Sequence, residues 1–227
     1  MSERVDLPLT HHFVEPRAGA DGPAPVVVVL HGRGADETDL LSVTQRLPDE
    51  LAVLSLRAPQ PLGPGYTWYD LDLSAGGLHV SQPDPEGFRR TLDLVAESID
   101  VAVESYDLDP DRVGLLGFSQ GAITALSLVL EAPDRYAWCV ALHGYLPESH
   151  ANLEPEGIEG KPIFVGAGES DQVIPPERSE RAASRMDEIG CVVAYEAYPG
   201  GHGIGPAELS DLVSWVEKRG DRRSDDA

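Results

Sequence analysis

Three features of the 227-residue sequence predict an α/β fold built on a mostly parallel, doubly wound sheet. Short apolar, β-branched runs alternate with stretches of helical length, the pattern of strands joined by helical crossovers. The run Val26-Val27-Val28-Val29-Leu30 is apolar at consecutive positions, as a central strand covered on both faces requires. Finally, Gly117-Phe118-Ser119-Gln120-Gly121 stands between an apolar run and a helix-like segment, so a sharp strand-to-helix turn is expected there.

Taken in order, the polar-alternating segment Thr10-His11-His12-Phe13-Val14 predicts an antiparallel edge strand. The central strand Val26 to Leu30 ends at His31-Gly32, and an acid-capped helical segment from Asp36 to Arg46 leads to the next strand, Leu51 to Leu56. Further strands are expected at 113–117, 137–142, 162–165 and 192–195, with helical patterns over 86–105, 120–131, 176–189 and 207–218. With no repeats and no linker, residues 1–219 read as a single domain in three layers. The connection from Gly144 to Lys161 is too short for a large cap. The polar tail 220–227 has almost nothing to bury and is expected to be disordered. One irregular stretch, Arg57 to Pro85, holds five prolines and four glycines around Tyr66, Trp68, Tyr69 and Leu71. Long loops of this kind in compact domains are usually functional; the aromatic cluster, with Leu78, either plugs the top of the sheet as core packing or, as its place after a strand's carboxyl end favours, forms a wall of a substrate pocket.

Charge narrows the partners. Asp and Glu number 39 against 17 basic residues, a formal net charge of -22, and Lys161 and Lys218 are the only lysines. Such a surface repels nucleic acid and anionic membranes, so neither is expected as a partner. The acidic, lysine-poor balance resembles proteins of salt-loving archaea, in which molar salt screens self-repulsion. The charged start, Met1 to Asp6, has no apolar stretch behind it, and the apolar run Ala24 to Leu30 is too short to span a bilayer, so a cytoplasmic location is expected. Cys139 and Cys191 fall in β-like runs and read as buried thiols.

The residues that carry chemistry occur in a telling order. A serine hydroxyl needs a base to take its proton and an acid to orient that base. Ser119 lies at the centre of G-x-S-x-G, with glycines keeping the turn free of Cβ atoms. Asp171 follows the strand at 162–165 and precedes a helix, with Glu169 its nearest competitor; His202 sits among glycines after the last strand. The order Ser, Asp, His is that of α/β-hydrolases. Two backbone N–H groups must meet the developing oxyanion, and Gln120, after the nucleophile, and Arg33, in the turn His31-Gly32-Arg33-Gly34, are the candidates. No pair of histidines has zinc-ligand spacing, and neither a metal nor a cofactor is expected.

These segments resemble the phospholipase/carboxylesterase family of small α/β-hydrolases, which includes the acyl-protein thioesterases. The specific pieces are Leu30 to Asp36, Arg57-Ala58-Pro59, Trp68-Tyr69-Asp70, Gly117 to Gly121 and Asp171 to Pro175, within a match over residues 10–218. The resemblance implies that Ser119 is the nucleophile, Asp171 the acid and His202 the base. It also implies that Arg33 and Gln120 form the oxyanion hole, that Trp68, Tyr69 and Asp70 border the substrate, and that no cofactor is used. Family members often form dimers, so a homodimer is the one protein partner it suggests. Where the family often has a serine-containing turn, this chain has Ala141-Leu142-His143-Gly144, which puts a titratable group near the pocket but is not expected to touch the triad. The reading is a serine carboxylesterase for small or short-chain esters. The alternatives are an acyl thioesterase or lysophospholipase, or a non-catalytic ligand-binding protein on the same fold.

Overall fold

The computed structural model describes residues 5–19 and 22–220; the tail expected to be disordered therefore lies outside the described residues, Gly220 excepted. In chain order the elements are β1 (His11–Val14), β2 (Ala24–Leu30), α1 (Leu41–Thr44), β3 (Ala52–Leu56), β4 (Gln60–Leu62), β5 (Gly65–Thr67), β6 (Leu71–Asp72), β7 (Gln82–Pro83) and α2 (Pro85–Ser105). There follow β8 (Leu108–Phe118), α3 (Gln120–Glu131), β9 (Trp138–Leu142), β10 (Pro162–Gly168), α4 (Pro176–Glu188), β11 (Val192–Tyr198) and α5 (Pro206–Gly220).

Seven strands form the central sheet in the order β1-β3-β2-β8-β9-β10-β11. All neighbours are parallel except β1, which runs antiparallel to β3 at the edge. The consecutive apolar residues of β2 split between two layers, as the pleat demands. Val26, Val28 and Leu30 pack with Phe88, Leu92 and Val95 of α2 and with the buried face of α3. Val27 and Val29 join Val43 of α1 and Leu212, Trp215 and Val216 of α5 on the other side. The result is a three-layer sandwich, and residues 143–161, between β9 and β10, contain no helix or strand that could form a cap.

Register positions the functional edge. Leu30 pairs with Gly117, Phe118 with Leu142, and Leu142 with Gly166, so β2, β8, β9 and β10 present their carboxyl ends together. That edge is where open α/β sheets bind ligands.

Two local expectations change. The helix expected over 36–46 shrinks to the single turn of α1. The Asp36 side chain accepts from both the N–H (2.8 Å) and the hydroxyl (2.6 Å) of Thr38, holding a turn that competes with helix. The irregular stretch 57–85 is organised by two small antiparallel pairs, β4 with β5 and β6 with β7. Cys139 and Cys191 are free and buried, and burial pushes the Cys191 thiol up to about 11, so it is a poor nucleophile. No helix among the described residues is long and apolar enough to cross a membrane.

Candidate active site

Ser119 sits between β8 and α3 at φ 55° and ψ -117°, a conformation that L-residues rarely adopt. The surroundings hold it there. Its N–H donates to the carbonyl of Leu142 (2.9 Å), and the two flanking glycines are required by crowding. A Cβ on Gly117 would lie 2.2 Å from the Gly121 carbonyl oxygen, and one on Gly121 would lie 2.0 Å from that of Leu30. Neither glycine has positive φ, so the motif's glycines serve close backbone approach rather than backbone freedom.

From this turn the serine reaches its partners. His202 Nε2 lies 2.9 Å from Ser119 Oγ, and His202 Nδ1 lies 2.7 Å from Asp171 Oδ2. Because the carboxylate can only accept, Nδ1 carries the proton and Nε2 is free to accept from the serine hydroxyl. Asp171 is fully buried, and its Oδ1 accepts from the N–H groups of Val173 (2.8 Å) and Ile174 (3.0 Å). Burial works to raise its pKa, but the hydrogen bonds from His202, Ile174, His143 and Val173 outweigh it and hold the carboxyl below its ordinary range. Glu169, the competing carboxylate, is exposed. Acid and base loops are locked together by Ser170 N–H donating to Gly200 O (2.8 Å). A Cβ on Gly168 would come 2.2 Å from Gly201 O, so that contact also needs a glycine.

A cavity of about 170 Å³ opens at Ser119 and His202. Its wall is mainly apolar, from Leu71, Leu78, Ile123, Tyr145, Val173 and Ile174, with Arg33 and Gln120 beside the serine. Leu71 is therefore on the cavity, while the other aromatic-loop candidates are placed elsewhere. Trp68 and Tyr69 are fully buried in the core. Trp68 Nε1 donates to His31 O (2.7 Å), and the Gln120 side chain accepts from Thr67 Oγ1 (2.9 Å) and Trp68 N–H (3.2 Å) and donates to Tyr69 O (2.9 Å). The Tyr69 hydroxyl also donates to Gln120 O (3.3 Å), so the two rings and these backbone groups brace the chain at His31 and at Gln120. Tyr66 lies under the Arg57 guanidinium, 4.6 Å from its ring centre, and Asp70 is exposed away from the cavity wall. His31 is spent structurally. Its Nδ1 meets Gly32 O (2.7 Å), its Nε2 accepts from Ala58 N–H (3.1 Å), and burial lowers its pKa, so the ring is neutral.

The turn after β9 corrects a sequence expectation. His143 does not line the cavity; it is buried behind the triad, with Nδ1 3.0 Å from Asp171 Oδ2 and Nε2 3.2 Å from Glu208 Oε2. It therefore touches the triad's acid directly, because the register of β9 with β10 brings the two strand ends together. Glu208, on α5 and fully buried, was not singled out by sequence, where it reads as one acid among 39. His143, Asp171 and His202 also bring three ligand-type atoms within 4.8 Å of one another, a grouping that no spacing indicated. Here those atoms are joined by hydrogen bonds through Asp171.

The sequence profile of the phospholipase/carboxylesterase family matches residues 10–219. The chain belongs to that family. An acyl-protein thioesterase 1 from Aspergillus fumigatus is 29% identical over 217 residues, covering 85% of this chain and 86% of its own. Among solved structures, the esterase PE8 is 27% identical with a TM-score of 0.79, over 92% of this chain and 98% of its own. A Bacillus cereus carboxylesterase superposes with a TM-score of 0.81 over 92% and 94%; at 24% identity that likeness speaks to the fold alone. Within this family the Ser119–His202–Asp171 geometry is that of a Ser-His-Asp triad in an esterase or thioesterase type of α/β-hydrolase.

Proposed function

We propose that the chain hydrolyses small or short-chain carboxylic esters through an acyl-enzyme. The observation that carries this reading is the continuous bond path from Asp171 through His202 to Ser119 at the mouth of a small apolar cavity. Ser119 Oγ attacks the carbonyl carbon as His202 Nε2 takes its proton, and the tetrahedral intermediate's oxyanion accepts from the N–H groups of Gln120 and Arg33. Both residues line the cavity that holds the serine, and the first begins α3, whose N-terminus favours negative charge. His202 then gives the proton to the departing alkoxide, so the alcohol leaves. Water, deprotonated by His202, attacks the acyl carbon; the bond to Ser119 Oγ then breaks as His202 returns the proton to Oγ, and the acid is released with the serine restored.

Cavity size supports short acyl groups: about 170 Å³ is well below the roughly 300–1,000 Å³ of drug-sized sites. Leu71 and Leu78 are the side chains proposed to meet the acyl or alcohol group. Thioester hydrolysis is the second reading, favoured by the name of the Aspergillus relative. The net charge of -22 supports a setting of high salt, with no nucleic-acid or anionic-membrane partner. Rates on p-nitrophenyl acetate, butyrate and octanoate beside acyl thioesters and lysolipids test the substrate class. Fastest turnover of the short esters, absent in Ser119→Ala, is expected; faster thioester or lysolipid turnover overturns it.

A further inference from the structure

Behind the triad, a second histidine is held between two buried carboxylates. His143 and Glu208 are each about 1% exposed at the side chain, and Asp171, His143's other partner, is 0% exposed. Its backbone is held at φ 52°, with its N–H donating to Gly166 O (2.7 Å). Room for the Glu208 carboxylate exists only because residue 166 is glycine: a Cβ there would lie 2.3 Å from Glu208 Oε1. The bland reading of Glu208 is a helix cap, since it occupies the first turn of α5 and Oε2 faces Gly205 N–H. That contact is long, 3.4 Å against 3.2 Å to His143, and capping does not explain a fully buried carboxylate whose Oε1 has no hydrogen-bond partner among the described residues.

We propose that Glu208 keeps His143 as an imidazolium whose Nδ1–H binds Asp171 Oδ2, making the pair a positioning device that sets the basicity of His202. It rests on the triad reading above. Asp171 Oδ2 serves both rings, so a proton and positive charge from His143 withdraw part of the negative field that otherwise favours protonated His202. The titratable groups that face the His143 ring are Asp171, Glu208 and His202, the last with its ring centre 5.5 Å away, and Phe118 covers a further side at 5.4 Å. Burial acts to lower the His143 pKa, but Glu208 and Asp171 together outweigh it and the net shift is upward. Where both carboxyl groups act only as acceptors, one facing each ring nitrogen, the doubly protonated ring is the form that satisfies both.

Two measurements test this. In the intact wild-type protein near neutral pH, ¹⁵N NMR of the histidine rings is expected to find both His143 nitrogens protonated; one bare nitrogen overturns the proposal, whatever the enzyme's activity. The second compares kcat/KM against pH for the parent and for His143→Asn/Glu208→Gln, a pair that removes both charges while Asn tolerates the left-handed backbone. The acid limb, which reports His202, is expected to move up by about one pH unit with KM changed less than about twofold. A folded double variant whose acid limb is unmoved, or moved down, overturns it. A parent without Ser119-dependent turnover fails the triad reading instead, and the NMR result still decides the state of His143.

Discussion

Two glycine-edged turns each offer a histidine to Asp171 Oδ2, and they are built for opposite purposes. The base loop around His202 is open: its ring is 18% exposed, and an added Cβ on Gly203 would meet nothing within 4 Å. The turn after β9 is closed, with His143 buried at positive φ and Gly166 pressed against Glu208. An imidazole that must give its proton to a leaving group needs solvent and substrate at one nitrogen. One that only holds charge can have both nitrogens sealed. The same residue type, on the same oxygen, is sorted into chemistry or support by what its second nitrogen meets.

The largest way to break this contrast is to remove each ring. His202→Ala is expected to lose roughly 10⁴-fold or more in kcat with the fold intact, since a triad member acts only with its partners. Circular dichroism beside a p-nitrophenyl ester assay checks it; turnover near the parent's would take His202 out of the mechanism.

Next in size is a comparison of glycines. Gly166→Ala should cost about 1–3 kcal/mol, as overpacking a sealed site does, by pushing Glu208 away from His143. Gly203→Ala, with open space around the new methyl, should stay within about 0.5 kcal/mol of the parent. Urea unfolding curves distinguish the two, and equal losses would erase the distinction between closed and open turns.

Protonation gives a third, smaller effect. The raised His143 pKa contributes stability that is complete below its ordinary value of 6.5 and is lost as pH rises through its folded value. Asp171, depressed, contributes above 3.8 and loses that contribution as pH falls through its folded value. Between about pH 6 and about pH 9 the parent should therefore lose more melting temperature than His143→Asn/Glu208→Gln, by a few degrees for about 1 kcal/mol. Parallel pH curves would show that the pair carries no net charge coupling.

Salt gives the smallest expected effect on the site, even where its effect on the whole chain is large. Raising potassium chloride from about 0.1 M to about 2 M should increase the melting temperature by screening repulsion among the 39 acidic side chains. The buried His143–Glu208 pair is screened far less, so the difference in acid limb between the parent and His143→Asn/Glu208→Gln should stay in place. An unchanged melting point would remove the high-salt setting, and a parent-to-variant difference that closes in salt would place His143 and Glu208 in contact with solvent.

Where residues act on near neighbours in the chain, sequence alone was enough. Gly117 marks the elbow because the clash it avoids, with the Gly121 carbonyl, is set by one strand, one turn and one helix, whereas Gly121 makes room for Leu30 O at the end of β2. The order of Ser119, Asp171 and His202 follows from strands and helices whose apolar periodicity is written in consecutive residues. What the tertiary structure decided are contacts between distant positions. Trp68 looked like a pocket wall and became a brace, because its indole N–H meets His31 O, 37 residues away. His143 and Glu208 stand 65 residues apart, and neither has a local pattern that distinguishes it from a loop histidine and a helix-capping acid. Sheet register and the packing of α5 against β10 bring them together, and only burial turns that meeting into a charge that matters.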